Sequence, residues 1–99
     1  MHLSEALMSR EEAIQLARET LEASLRRNAA YYDRAPQLRP DPQQPRTEAV
    51  RADDAWYYVP FNRGKPGLEP IVVRVNGLTR AVVIDPPLRS PGARPSRGT

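Results

Sequence analysis

The sequence predicts an α+β fold, with one N-terminal helix packed on a three- to four-stranded antiparallel sheet. Three observations point there. Apolar residues recur at helical spacing in one place, between Ile14 and Leu25. Every later apolar run is short and built from β-branched or aromatic residues, at 56–61, 71–75 and 81–84. The eleven prolines cluster, four within 36–45 and four within 86–95, and so punctuate the chain. Ninety-nine residues allow one domain with a small core. The expected organisation is an extension at 1–8, a single domain at 9–86 with a Pro-rich loop at 35–46, and a disordered basic tail at 87–99.

The helix begins at a capping box. Ser9 can accept from the Glu12 amide while Glu12 reaches back to the Ser9 amide. Ile14, Ala17, Leu21 and Leu25 then form one stripe, flanked by Ala13 and Ser24. Glu11, Gln15, Arg18, Glu22 and Arg26 make an opposite face expected to be solvated, with Glu22 and Arg26 as an i,i+4 pair. Arg26 and Arg27 suit the C-terminal end of the helix dipole. The helix is expected from about residue 10 to 28, with 29–34 either extending it or opening a loop. Tyr31 and Tyr32 read as a lid over a core edge.

Four prolines between 36 and 45 remove four amide donors and bias their neighbours to extended backbone. A mobile or polyproline-like loop is expected there. Residues 47–52 alternate weakly and suit an edge strand, closed by a turn at Asp53-Asp54. The aromatic strand follows, holding the sole Trp and the sole Phe. Tyr57, Val59 and Phe61 share one face, and Trp56 and Tyr58 the other. Pro60 is expected to end this strand or mark an edge.

Residues 70–85 carry the strongest hairpin signal, two β-branched runs around a turn containing Asn76-Gly77. A turn at Gly77-Leu78 pairs Val75 with Arg80, Val73 with Val82 and Ile71 with Ile84. That register is preferred to a turn at Asn76-Gly77, which buries Arg80 in mid-sheet. One helix covers one face of this sheet. The other face then offers Trp56, Tyr58, Val72 and Arg74, with Ala81 and Val83, uncovered unless the Pro-rich loop or another chain lies over it.

Chemistry is sparse. There is no Cys, which excludes disulfides and thiol nucleophiles and fits a cytoplasmic location. The one His, His2, has no neighbour to work with, and Asp53, Asp54 and Asp85 have no evident partner. No catalytic residue, metal site or cofactor is expected. No signal peptide shows at the N-terminus, and no apolar run nears the roughly 18 residues that span a bilayer, so no membrane role is expected.

Charge is uneven. Residues 1–60 hold eight Arg against ten acids, and residues 61–99 hold six Arg and Lys65 against two. Such an Arg excess suits an anionic partner, or reflects a GC-rich genome that favours Arg over Lys.

The order of elements resembles the cystatin-like and PepSY-like folds. More narrowly, residues 9–85 resemble the small bacterial YrhB-like immunity family. The matching features are Glu12-Ala13 in the capped helix, the stretch Trp56-Tyr57-Tyr58-Val59-Pro60-Phe61, and Pro70-Ile71-Val72-Val73 opening the last hairpin. Family members follow that last run with an acidic residue and a Thr-Gly turn, where Arg74-Val75-Asn76-Gly77 stands here. The resemblance implies a non-enzymatic protein that binds a toxin or another protein. The residues themselves suggest a protein-binding face at Trp56, Tyr58, Val72 and Arg74, with a toxin, an enzyme or a second copy as partner. Nucleic-acid binding by the basic C-terminal half is the alternative, with sheet aromatics as a stacking platform.

Overall fold

The computed structural model describes residues 7–85. Its elements are α1 (Arg10–Arg27), α2 (Ala29–Arg34), a 3₁₀ turn (Pro36–Leu38), β1 (Pro40–Pro45), a second 3₁₀ turn (Thr47–Ala49), β2 (Arg51–Asp53), β3 (Trp56–Arg63), β4 (Ile71–Asn76) and β5 (Val82–Asp85). The sheet is antiparallel in the order β1-β3-β4-β5, and β2 also pairs with β3. The α+β class stands, with five strands. The expected tail at 87–99 and most of the expected extension at 1–8 lie outside the described residues.

The capping box forms as the residues require. The Ser9 amide donates to Glu12 Oε1 at 2.9 Å and the Glu12 amide to Ser9 Oγ at 3.1 Å. The hydrogen bond from the Ser9 amide is the main reason that the Glu12 carboxyl is held below the usual carboxylate range. Asn28 interrupts the helix, and its side-chain amide donates to the Ser24 carbonyl at 2.7 Å. Beyond it α2 brings Tyr32 into the core, edge-to-face with Tyr31 at 5.0 Å.

Ala13, Ala17, Leu21 and Leu25 bury the helix stripe against Val59, Phe61, Ile71, Val73 and Val75. The two alanines present little side chain on the buried face, and the strands fill the layer with branched and aromatic groups. Val82 and Ile84 pack at its margin. Met8, expected in an extension, belongs to this core. Its amide donates to the Gly77 carbonyl at 2.9 Å, and its carbonyl accepts from the Tyr57 hydroxyl at 2.8 Å.

Several expectations need correction. Residues 40–45 are an edge strand rather than a mobile loop. Three prolines cost an outer strand little, because only its inner side must pair. The nominally solvated face of α1 meets this strand: Arg18 Nε donates to the Pro42 carbonyl at 3.2 Å, and Gln43 donates to Glu22. Glu22 therefore bonds across to β1, and among the described residues it forms no ion pair with Arg26. Residues 47–49 coil into a 3₁₀ turn, so β2 is only three residues long.

Pro60 neither ends its strand nor sits on an edge. It lies in mid-β3, opposite Val72 of β4. Its carbonyl accepts from the Arg46 amide at 2.9 Å. That side faces the break between β1 and β2, where no ladder needs the missing donor.

Both hairpin turns also moved. The β2–β3 turn is Asp54-Ala55, with Asp54 left-handed at φ 58° and Asp53 opposite Trp56. In the β4–β5 hairpin Val75 pairs with Val82 and Val73 with Ile84, two residues from the preferred register. The Asn76 side chain accepts from the amides of Leu78 and Thr79, both at 2.9 Å, and so builds a longer loop that ends with Arg80 left-handed at φ 66°. The shift is even, so every side chain keeps its expected face. Arg80 stays exposed.

Candidate functional site

Alternation along β3 and β4 sends Tyr57, Val59, Phe61, Ile71, Val73 and Val75 towards α1. It sends Trp56, Tyr58, Pro60, Val72 and Arg74 the other way. The second set is half-buried, and among the described residues no helix lies over it. The Pro-rich segment does not cover it either, since β1 joins the sheet in its own plane. All four residues expected at a binding face, Trp56, Tyr58, Val72 and Arg74, therefore stand on one surface.

Cross-strand pairing orders that surface into rows. Arg51, Tyr58, Arg74 and Val83 line up across β2, β3, β4 and β5. Asp53, Trp56 and Asn76 form the next row, and Pro60 and Val72 lie on the far side. The guanidinium of Arg51 sits over the Tyr58 ring, 4.7 Å from its centre. That of Arg74 sits over Trp56 at 5.7 Å. Each cation rests on the negative face of a π system, an attraction of about 0.5–1 kcal/mol at exposed sites. Arg74 Nε is buried without a hydrogen-bond partner among the described residues. Val83 adds an exposed apolar group at the end of its row.

Arg51 was not among the residues expected at the site. Its alternation with Asp53 along β2 was the available signal, because the hairpin turn at Asp54-Ala55 carries Arg51 onto the tryptophan side of β3.

Away from this face, a concavity of about 660 Å³ lies between the C-terminal half of α1, α2 and β1. Buried Leu25, Tyr32 and Pro42 line it with apolar groups, and Glu22, Arg26, Asp33, Arg39 and Asp41 add charges of both signs. Burial raises the Tyr32 phenol above the ordinary tyrosine range. The rim partly closes on itself through the bond between Gln43 and Glu22.

Asp54 occupies a turn, and Asp53 is exposed beside Trp56. His2 and the side chain of Asp85 lie outside the described residues. Among the described residues no three His, Asp or Glu side chains converge as metal ligands, and no helix is long and apolar enough to cross a membrane. Comparison of the chain with family models, with curated proteins and with solved structures finds no match.

Proposed function

We propose that the chain is a non-catalytic protein-binding module, in its sharpest form an immunity or inhibitor protein that holds a toxin or an enzyme against the open face of its sheet. The observation that carries this reading is the gathering of Trp56, Tyr58, Val72 and Arg74 on a sheet side that no helix covers among the described residues. A one-sided antiparallel sheet normally turns polar residues to water. Here the outward positions of the two central strands hold an indole, a phenol, a valine and a stacked guanidinium. Trp, Tyr and Arg are the residue types that dominate interface energetics, through large rigid contact areas and forked donors. A second copy of the chain is the same reading with itself as partner. Absence of Cys suits work in the cytoplasm.

The test uses the full chain and Trp56→Ala as paired baits, with circular dichroism showing that the variant folds. A protein retained by the wild type, cross-linked near residues 56–58 and 72–74, and lost from the variant supports the reading. Equal retention by both baits, or cross-links confined to the helix side, overturns it.

A further inference from the structure

The open face differs from a plain apolar docking patch in one respect: it carries two arginines that lie over rings and have no acidic partner among the described residues. Arg51 and Arg74 flank Tyr58 in a single cross-strand row. Both guanidinium groups lean onto rings, which fixes their planes and lowers the entropy lost when a ligand arrives. Among the described residues neither forms an ion pair; the one ion pair there joins Arg46 and Glu48. Arg74 Nε is buried and has no acceptor among the described residues. A guanidinium over a ring can still present its two terminal amino groups, and these match a carboxylate in two parallel bonds.

Resting on the protein-binding reading above, we infer that the partner presents an acidic polypeptide segment, whose carboxylates dock on Arg51 and Arg74 while its apolar side chains cover Trp56, Tyr58 and Val72. Nucleic acid fits the same surface less well. A base would stack on Trp56 or Tyr58, yet each ring already has a guanidinium against it, so stacking must first displace an arginine. A carboxylate needs no such displacement. It adds to the arginine edge and leaves the cation on its ring.

Trp56 is the sole tryptophan, so the face carries its own reporter. The experiment titrates the full chain at low salt with a short oligo-glutamate peptide and follows Trp56 emission. Oligo-glutamine, oligo-lysine and oligo-thymidylate serve as comparisons. Oligo-glutamate is expected to bind and to weaken as salt rises. Arg51→Gln and Arg74→Gln should each weaken it about tenfold, the scale of one charge-assisted bond. Arg→Lys at either site should recover only part of the loss, because the charge returns without the fork.

Absence of a response to oligo-glutamate at low salt overturns the inference, as does a response that ignores both Gln substitutions. Tighter binding of oligo-thymidylate, lost in the same variants, replaces the acidic partner with nucleic acid. The two readings separate cleanly. A partner lost from the Trp56→Ala bait but held by the Arg51→Gln and Arg74→Gln baits preserves the protein-binding module and removes the acidic segment. A partner held by all of them removes both.

Discussion

The two sides of β3 and β4 are made of alternate residues of the same two strands, and they could hardly differ more. Towards α1 stand Val59, Phe61, Ile71, Val73 and Val75, all essentially sealed from water. On the other side stand Trp56, Tyr58, Val72 and Arg74, half-exposed, with cations lying on rings. Apart from the Tyr57 hydroxyl, the sealed side holds apolar groups, whose worth depends on contact area and close packing. The open side mixes large ring surfaces with directed donors, which contribute little to the isolated chain and a great deal to a complex. Stability and recognition are thus assigned to opposite parities of one stretch of sequence.

Substitutions can break or sharpen this division. The largest effect is expected at Phe61, fully buried beneath the helix. Phe61→Ala should cost about 3–5 kcal/mol in urea unfolding, a large part of a small domain's stability. Tyr58→Ala, three residues earlier on the open side, should cost far less. Equal losses at the two positions would abolish the distinction between the faces.

A smaller effect is expected at Gly77, where the chain entering α1 is tied to the β4–β5 loop. A Cβ there meets Leu7 Cδ1 at 2.8 Å and the Tyr57 ring at 3.3 Å. Leu7 is partly exposed and can swing away, whereas Tyr57 is held by its bond to the Met8 carbonyl. Gly77→Ala should therefore lower stability by about 1–2 kcal/mol. Faster exchange of the Met8 amide, with the Trp56 side undisturbed, would locate the damage on the sealed side.

The smallest effect concerns the helix start. Because the folded Glu12 carboxyl titrates below its unfolded value, its support is present above that unfolded value and disappears as pH falls through the lowered one. Unfolding midpoints of the wild type and of Glu12→Gln should differ at neutral pH and converge in acid. A gap that persists in acid would assign the effect to packing rather than to charge.

Much of the sealed side was legible because it rests on periodicity. The Ser9–Glu12 box, the stripe from Ala13 to Leu25 and the alternation of β3 and β4 all speak locally. The faces also survived two displaced turns, since an even shift of register leaves parity intact. What escaped depends on distant partners. Prolines 40, 42 and 45 erase the local strand signal, and β1 exists because β3 and α1 offer it pairing and side-chain bonds. Met8 lies outside the helical stripe and is drawn into the core by Gly77 and Tyr57. Among the face residues Trp56, Tyr58, Val72 and Arg74 followed from alternation, but the stacking of the arginines is tertiary geometry with no local signature.

The outer margin formed by β1 limits how these molecules can assemble through backbone pairing. Pro40, Pro42 and Pro45 have no N–H to offer, and the Gln43 amide is engaged by the Asp41 carboxylate at 3.0 Å. Growth of a fibre requires each unit to accept a neighbour at both lateral ends. β1 is therefore a poor template for such growth, and a polymer in which β1 bears an intermolecular ladder would contradict that arithmetic.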